Sequence, residues 1–555
     1  MKISSFDIFD TCLVRKCGTP ENFFDVFSLW AFDHEPPEWA RQEFVAARRL
    51  TEQKLWNDNP HYTLEDIWVE MDWMHPFLKS KKELCELEQE LEREMLVPVL
   101  SMRDKVNECR KKGDKIIFIS DMYLSSAFLI DVMRANGFYQ EGDSLYVSCE
   151  CKAAKYNGEL FQYVKEKEGL SSFRHWHHYG DNKLGDYKAP KKLGIKCTLI
   201  NHEYTPYQKQ WKDNDYSLGF KYPSILAGLG RALHYSTEWN THTDFVLDII
   251  APFYCSWMYM VLEDAQRNGI QRLYFCARDA YQIHKIAQVM QPLFPEVGIE
   301  YVYMSRKALY NEENDATKIA YFERIGLATK TEKVAIVDTT TSGKTLQYLN
   351  NYLNNKGYQE CSSYYYLLWN KVDGVDRRKY NIQVYDAYIC NNLTTSRFIH
   401  HPFLFIFENL FGLNAEPKTI DYNDAEPVFI SDMGEEDGCY TDGCNWVAIH
   451  EKLLVTYAQE FVALHLGQYA KEIFERIGMV ALNDFFKEPL KVYVCALDSY
   501  CFIEKDTSKK YTFITKMKNP LQLRKKNRAY AWRRGSLYFS LPTWVIEFVK
   551  FLKHE

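Results

Sequence analysis

Two carboxylates stand three residues apart near the start of the chain, Asp7 and Asp10 in "SFDIFDTCLVR". Aspartate is a poor strand former, so the pair falls where the chain leaves its first strand. Asp10 and Thr11 would also suit the cap of a helix over "CLVRKC", a reading that accounts for one aspartate and leaves Asp7 over. A carboxylate that attacks phosphorus needs further carboxylates around a divalent cation, and a hydroxyl and a lysine to hold the phosphoryl oxygens. Candidates of each type follow in order. Ser120 offers the hydroxyl, and Lys155 in "KAAKYNGELF" the positive charge, with Lys152 a less suitable substitute. Asp181 and Asp186 in "YGDNKLGD" complete a metal site.

A second candidate lies far downstream in "KVAIVDTTTSGKTLQYLNNYL". The ending resembles a nucleotide-binding P-loop, but position 338, where the first glycine would fall, is Asp. What remains is an apolar strand, an aspartate, a turn of Thr, Ser and Gly, and a helix. Amides and hydroxyls at a helix start make a phosphate cradle, and the preceding carboxylate suits the hydroxyls of an attached sugar. A capped helix after a buried strand explains the same piece.

The elements that must position these residues alternate. Strand-like pieces at 115–125, 144–150, 175–186 and 195–200 are separated by helical patterns such as "SKKELCELEQELEREMLVPVL". Such alternation predicts a parallel sheet with helices on both faces, binding at the carboxyl ends of its strands. A further alternation begins near "QRLYFCARDAYQIHK". With 555 residues, two domains are expected: 1–205, a linker over 206–235, and 236–555. A formal charge of -7 gives no global reason to expect nucleic acid. The fifteen cysteines show no repeated spacing, and reduced thiols in a cytoplasm are expected. "VLDIIAPFYCSWMYMVL" is 17 residues with Asp248 and Pro252 inside, and reads as a buried helix.

The first two hundred residues resemble the haloacid dehalogenase superfamily, most of whose members are phosphatases. "FDIFDT", "FISDMY", "KYNGELF" and "YGDNKLGD" stand as its four motifs in order. The resemblance implies a Rossmannoid α/β domain with a helical cap at about 16–100, Asp7 as nucleophile, and Mg2+ held by Asp7, Asp181 and Asp186. Superfamily phosphatases usually carry a general acid–base aspartate two positions after the nucleophile. Here that position is Phe9, and Asp10, one residue later, is expected to take over the proton transfer. Arg48 and Arg49 are expected on a solvated helix face.

The second alternation resembles the type I phosphoribosyltransferases over about 240–375. That resemblance implies a second α/β domain with an added helical, aromatic C-terminal region. It places Thr340, Thr341, Ser342, Gly343, Lys344 and Thr345 on a 5-phosphate, Asp338 on ribose hydroxyls, and Arg278, Arg306 and Lys307 on a diphosphate. Asp279 is the candidate base. The family loop usually has two adjacent acidic residues, whereas Asp338 is followed by Thr339. Together the halves resemble bacterial polysaccharide ribofuranosyltransferases, which implies phosphoribosyl diphosphate as donor, a lipid-linked glycan as acceptor, and removal of the 5-phosphate after transfer. Soluble nucleotide or sugar-phosphate salvage, and a binding module with a degenerate phosphatase domain, are the alternatives. Between Lys509 and Arg534 lie ten Lys or Arg and no Asp or Glu, interleaved with aromatics. This stretch is expected to meet an anionic membrane or a lipid-linked acceptor, which places the protein in the cytoplasm with peripheral contact at the inner face of its membrane.

Overall fold

The computed structural model describes residues 2–213, 220–238, 241–341, 344–368, 411–412, 416–429, 440–441, 444–487, 501–504, 509–512, 542 and 545. The chain divides into two compact units, Met1–Asn240 and Thr241–Glu555.

In the first unit, β1 (Ile3–Phe6), β4 (Lys115–Ser120), β5 (Ser144–Val147), β6 (Trp176–Gly180) and β7 (Lys196–Leu199) form one parallel sheet in the order β5-β4-β1-β6-β7. "KIIFIS" is apolar on both faces, as a strand covered by helices on both sides must be, and Ile116–Ile119 are buried. The chain leaves β1 for β4 on one side and later returns to β6 on the other. This reversal puts a crevice at the carboxyl ends of β1 and β6.

No helix forms over "CLVRKC". The amides of Cys12 and Leu13 both donate to the Ile8 carbonyl at 2.9 Å, and the chain turns into β2 (Leu13–Arg15). β2 pairs antiparallel with β3 (Leu96–Pro98), and these strands form the stem of a helical insertion. Its helices are Pro20–Phe27, Glu38–Asp58, Leu64–Glu70 and Lys81–Met95. Thr63 and Ser80 start the last two with reciprocal caps to Asp66 and Glu83.

Arg48 is not on a solvated face. It is fully buried, donates to both Glu88 oxygens at 2.7 and 3.2 Å and to Glu52 at 2.9 Å, and lies over the Phe24 ring at 4.7 Å. A planar guanidinium satisfied on its edge by carboxylates and on its face by an aromatic ring tolerates burial. Glu88 also accepts from Trp68 Nε1 and from the hydroxyl of Tyr123, which follows β4, so the insertion is tied to the core beside the second motif.

Residues 206–235 are not a linker. They fold into helices Pro206–Asp213 and Tyr222–Ser236, both within the first unit. Ile225, Leu226, Leu229, Ala232 and Leu233 recur at helical spacing and are buried. Gly228 packs directly on Gly18: a Cβ at position 228 would sit 2.3 Å from the Gly18 nitrogen.

In the second unit, β8 (Arg272–Cys276), β9 (Gly298–Val302), β10 (Val334–Thr341) and β11 (Ser362–Leu368) make a parallel sheet in the order β11-β10-β8-β9. Its reversal lies between β8 and β10. A hairpin of β12 (Thr419–Asn423) and β13 (Glu426–Phe429) adds Tyr422 to the core, stacked on Tyr321 at 4.9 Å. The expected buried helix extends further: Thr243–Arg267 is one helical run of 25 residues, long and apolar enough to cross a membrane, with 94% of its most apolar stretch buried inside the protein.

Candidate active site

Three motif carboxylates meet in the crevice of the first sheet. Asp7 follows β1 and Asp181 follows β6, while Asp186 returns from the wide helical turn Lys183–Lys188. One oxygen from each lies within 4.8 Å of the others. Asp186 reaches this point because residue 180 is glycine; a Cβ there would sit 2.4 Å from the Asp186 Cγ.

Lys155 closes the cluster. Its Nζ donates to Asp7 Oδ1 at 2.5 Å and to Asp186 Oδ1 at 2.7 Å, and its backbone amide is held by both Asp121 oxygens at 2.9 and 3.0 Å. Burial pushes the Asp7 carboxyl well above its ordinary range; Lys155 opposes this, and Asp186 and Asp181 add to it. Burial acts upward on Asp186 too, but Lys155 and His178 together hold it below the usual carboxylate range.

Residues beyond the motifs complete the arrangement. Thr11 donates to Asp7 Oδ2 and Asp181 Oδ1, each at 3.3 Å. Behind Asp186, Trp176 Nε1 donates to Ser5 Oγ at 2.7 Å, leaving the single Ser5 proton for His178 Nδ1 at 2.7 Å. His178 Nε2–H then donates to Asp186 Oδ1 at 3.1 Å. Burial lowers the pKa of His178, in keeping with this neutral form. The signal for this chain was available in "HWHHYGD": polar residues inside a strand buried on both faces need partners.

Ser120 is buried at the end of β4, beside the same edge. Asp10 caps no helix; it adopts φ +51° and pairs with Arg231 at 2.7 Å. A cavity of about 870 Å³ adjoins the edge, lined by Arg49, Gln53, Trp56 and Tyr62 of the insertion and by Asp121 and Ser148 of the core.

Hard carboxylate oxygens converging on one point are the donors that Mg2+ takes.

In the second unit, Arg278 and Asp279 follow β8 and Asp338 lies within β10, at the two strands where the sheet reverses. Burial raises the Asp279 carboxyl, opposed by Arg278 and then Arg306. Burial likewise pushes the Cys276 thiol well up, with Asp338 and Asp279 adding to it, so these groups share one neighbourhood. Arg306 and Lys307 are exposed on a short helical turn started by Ser305, whose hydroxyl donates to the Thr419 carbonyl at 2.6 Å. Thr345 is half-buried at the start of the helix Lys344–Asn355. Ser342 and Gly343 lie outside the described residues, as do the side chains of Thr340, Thr341 and Lys344 and residues 513–534 of the basic stretch.

The first unit has the architecture that the haloacid dehalogenase resemblance implies: a parallel sheet, a helical insertion after β1, and the motif residues at one edge. No protein-family model matches the sequence, and no curated protein matches it. Among solved structures, a Bacillus subtilis protein described as a HAD-hydrolase, bound to magnesium, is 16% identical with a TM-score of 0.27, over 37% of this chain and 89% of that one. A HAD family enzyme from Bacteroides thetaiotaomicron, an aspartate-to-alanine mutant in complex with magnesium and inorganic phosphate, is 16% identical with a TM-score of 0.27, over 36% and 94%. A Thermotoga maritima protein described as a beta-phosphoglucomutase is 14% identical with a TM-score of 0.26, over 36% and 88%.

Proposed function

We propose that the chain is a bifunctional enzyme of surface polysaccharide synthesis. Its second unit transfers 5-phosphoribosyl from phosphoribosyl diphosphate to a glycan hydroxyl, and its first unit removes the 5-phosphate to leave ribofuranose. The observation that carries the reading is the meeting of buried Asp7 and Asp186 and half-buried Asp181 beside Lys155 at the crevice of a parallel sheet.

In the first unit an Asp7 oxygen attacks phosphorus and the bond to the ribose oxygen breaks. Asp10 gives its proton to the departing oxygen, then takes one from the water that cleaves the aspartyl phosphate, returning Asp7 as carboxylate. Lys155 and the Ser120 hydroxyl hold the phosphoryl oxygens as charge moves. Mg2+, held by Asp7, Asp181 and Asp186, would neutralise charge between nucleophile and phosphate.

In the second unit, Arg306, Lys307 and Arg278 take the diphosphate, Asp338 the ribose hydroxyls, and the turn before Thr345 the 5-phosphate. Asp279 accepts the acceptor's proton. Support comes from Arg278, Asp279 and Asp338 falling at the reversal of the second sheet, where ligands of such sheets bind. The lipid-linked acceptor and the membrane contact rest on the basic, aromatic sequence between Lys509 and Arg534.

The test is incubation with phosphoribosyl diphosphate, Mg2+ and a panel of glycan acceptors, read by mass spectrometry. The wild type is expected to add a pentose, and Asp7→Asn a phosphopentose. Donor left unconsumed with every acceptor would refute the transferase; phosphate retained by the wild-type product would refute the phosphatase.

A further inference from the structure

Asp10 stands one residue later than the usual acid–base position, in a left-handed conformation uncommon for a residue with a side chain. An acid displaced in this way needs something to aim it. That something arrives from 221 residues downstream: Arg231 Nη2 donates to Asp10 Oδ1 at 2.7 Å. The Arg231 side chain is 8% exposed and that of Asp10 32%, so the arginine is the fixed member of the pair. Its guanidinium lies over the Tyr204 ring at 4.6 Å. Beside it, His202 Nε2 meets the Thr11 carbonyl at 2.9 Å, securing the turn that carries Asp10.

The helix bearing Arg231 has little freedom to shift. Gly228 is against Gly18, and Asn22 Nδ2 bridges the Cys17 carbonyl at 2.8 Å and Ser224 Oγ at 2.9 Å. Among the described residues, Arg231 engages only one Asp10 oxygen, and Oδ2 keeps no other protein partner.

We propose that Arg231 is a positioning residue for proton transfer: it fixes Asp10 through Oδ1 and so presents Oδ2 to the oxygen that leaves phosphorus. The inference rests on the phosphatase reading above. It makes the helical pair 206–236 a working part of the first site, although the four motifs end at Asp186.

A proton donor matters most when the leaving oxygen is a poor leaving group. Kinetics on the full chain with Mg2+ should therefore compare ribose 5-phosphate, an alkyl phosphate, with p-nitrophenyl phosphate, whose phenolate leaves without help. Arg231→Met is expected to lower kcat/KM, which reads the step in which the leaving group departs, about 10- to 100-fold on ribose 5-phosphate and less than about threefold on p-nitrophenyl phosphate. By contrast kcat, which includes hydrolysis of the shared aspartyl phosphate with Asp10 as base, falls on both. Asp10→Asn should show the same selectivity, and the double variant should add little to either. Arg231→Lys should restore part of the loss. Ser224→Ala, which loosens the same helix without touching Asp10, should leave the ratio of the two substrates unchanged. Equal loss of kcat/KM on both substrates in Arg231→Met, or a changed ratio of kcat/KM in Ser224→Ala, overturns the inference while leaving the phosphatase in place. A wild type that hydrolyses neither substrate refutes the phosphatase reading and the inference with it.

Discussion

Replacing Lys155 by methionine removes the cation that pairs with two of the clustered carboxylates of the first site. The side chain keeps its length and loses its charge. In wild type, Nζ lies 2.5 Å from Asp7 and 2.7 Å from Asp186, with the lysine 4% exposed. Carboxylate oxygens within 4.8 Å of one another repel by roughly 3 kcal/mol per pair at the effective dielectric of about 20 that suits such sites. Breaking a buried ion pair by removing one partner costs about 3 to 5 kcal/mol, which sets the expected loss of local stability. In a chain of two units the loss is best read locally, as amide exchange of β1 and β6 followed by mass spectrometry in the presence of a chelator. Those strands should exchange about 100-fold to a few thousand-fold faster in the variant. The pH dependence of the variant follows from both carboxylates that Lys155 touches, Asp186, which it helps hold low, and Asp7. The folded pKa of Asp7 lies above its unfolded one, so the native state binds the extra proton, and the stability this confers is lost as pH rises through the folded value. Without Lys155 that folded value rises further, so the defect should be small at acidic pH and grow toward alkaline pH. Saturating Mg2+ should restore the variant more than it stabilises the wild type, because it binds the folded cluster and replaces the missing charge. A loss under about 1 kcal/mol that ignores both pH and Mg2+ would refute the view that Lys155 neutralises this cluster.

Two other changes test the sites separately. Gly180→Ala should displace Asp186 and weaken Mg2+ binding about 10- to 100-fold by calorimetry, and an affinity within about twofold of wild type would show that Asp186 is not needed for the metal. Asp338→Ala and Arg306→Ala should each reduce affinity for phosphoribosyl diphosphate about 10- to 100-fold, the worth of a hydrogen bond to a charged group; unchanged titrations in both would sink the assignment of the second site.

Much of the first site was legible because its residues stand at strand ends, where an apolar run such as β4 gives way to polar residues, and fall in four motifs in order. Asp7, Ser120, Asp181 and Asp186 all fall where the chain leaves β1, β4 or β6 or in the turn that follows, and Lys155 reaches them from its own motif. What was illegible depends on partners far apart in sequence. Arg48 reads as solvated until Glu88, forty positions away, is found facing it. The stretch after Asn201 reads as a linker when its polar and aromatic residues are weighed alone. Its apolar period is confined to Ile225–Leu233, and its tie to the first site becomes visible only when Arg231 meets Asp10. His178 carried a signal in its strand, but its partner Ser5 is 173 residues away. Around residues 342 and 343 the cradle of the second unit falls outside the described residues, so the turn expected to hold the 5-phosphate is read from sequence only.

The position of β1 bears on how the chain is made. Of the five strands of the first sheet, the middle one, β1, leaves the ribosome before the others, and its partners Lys115–Phe118 and Trp176–Tyr179 emerge much later. During vectorial synthesis Ile3–Phe6 must wait through the whole helical insertion before one edge is paired, and through sixty further residues before the other is. Contacts of such long separation form slowly, and a strand with an open edge invites pairing with the wrong chain. Asp7 therefore has an early part to play before any chemistry. Until Asp186 and Lys155 arrive to enclose it, a hydrated carboxylate at the end of this strand joins Ser4 and Ser5 within it in keeping the nascent segment in water.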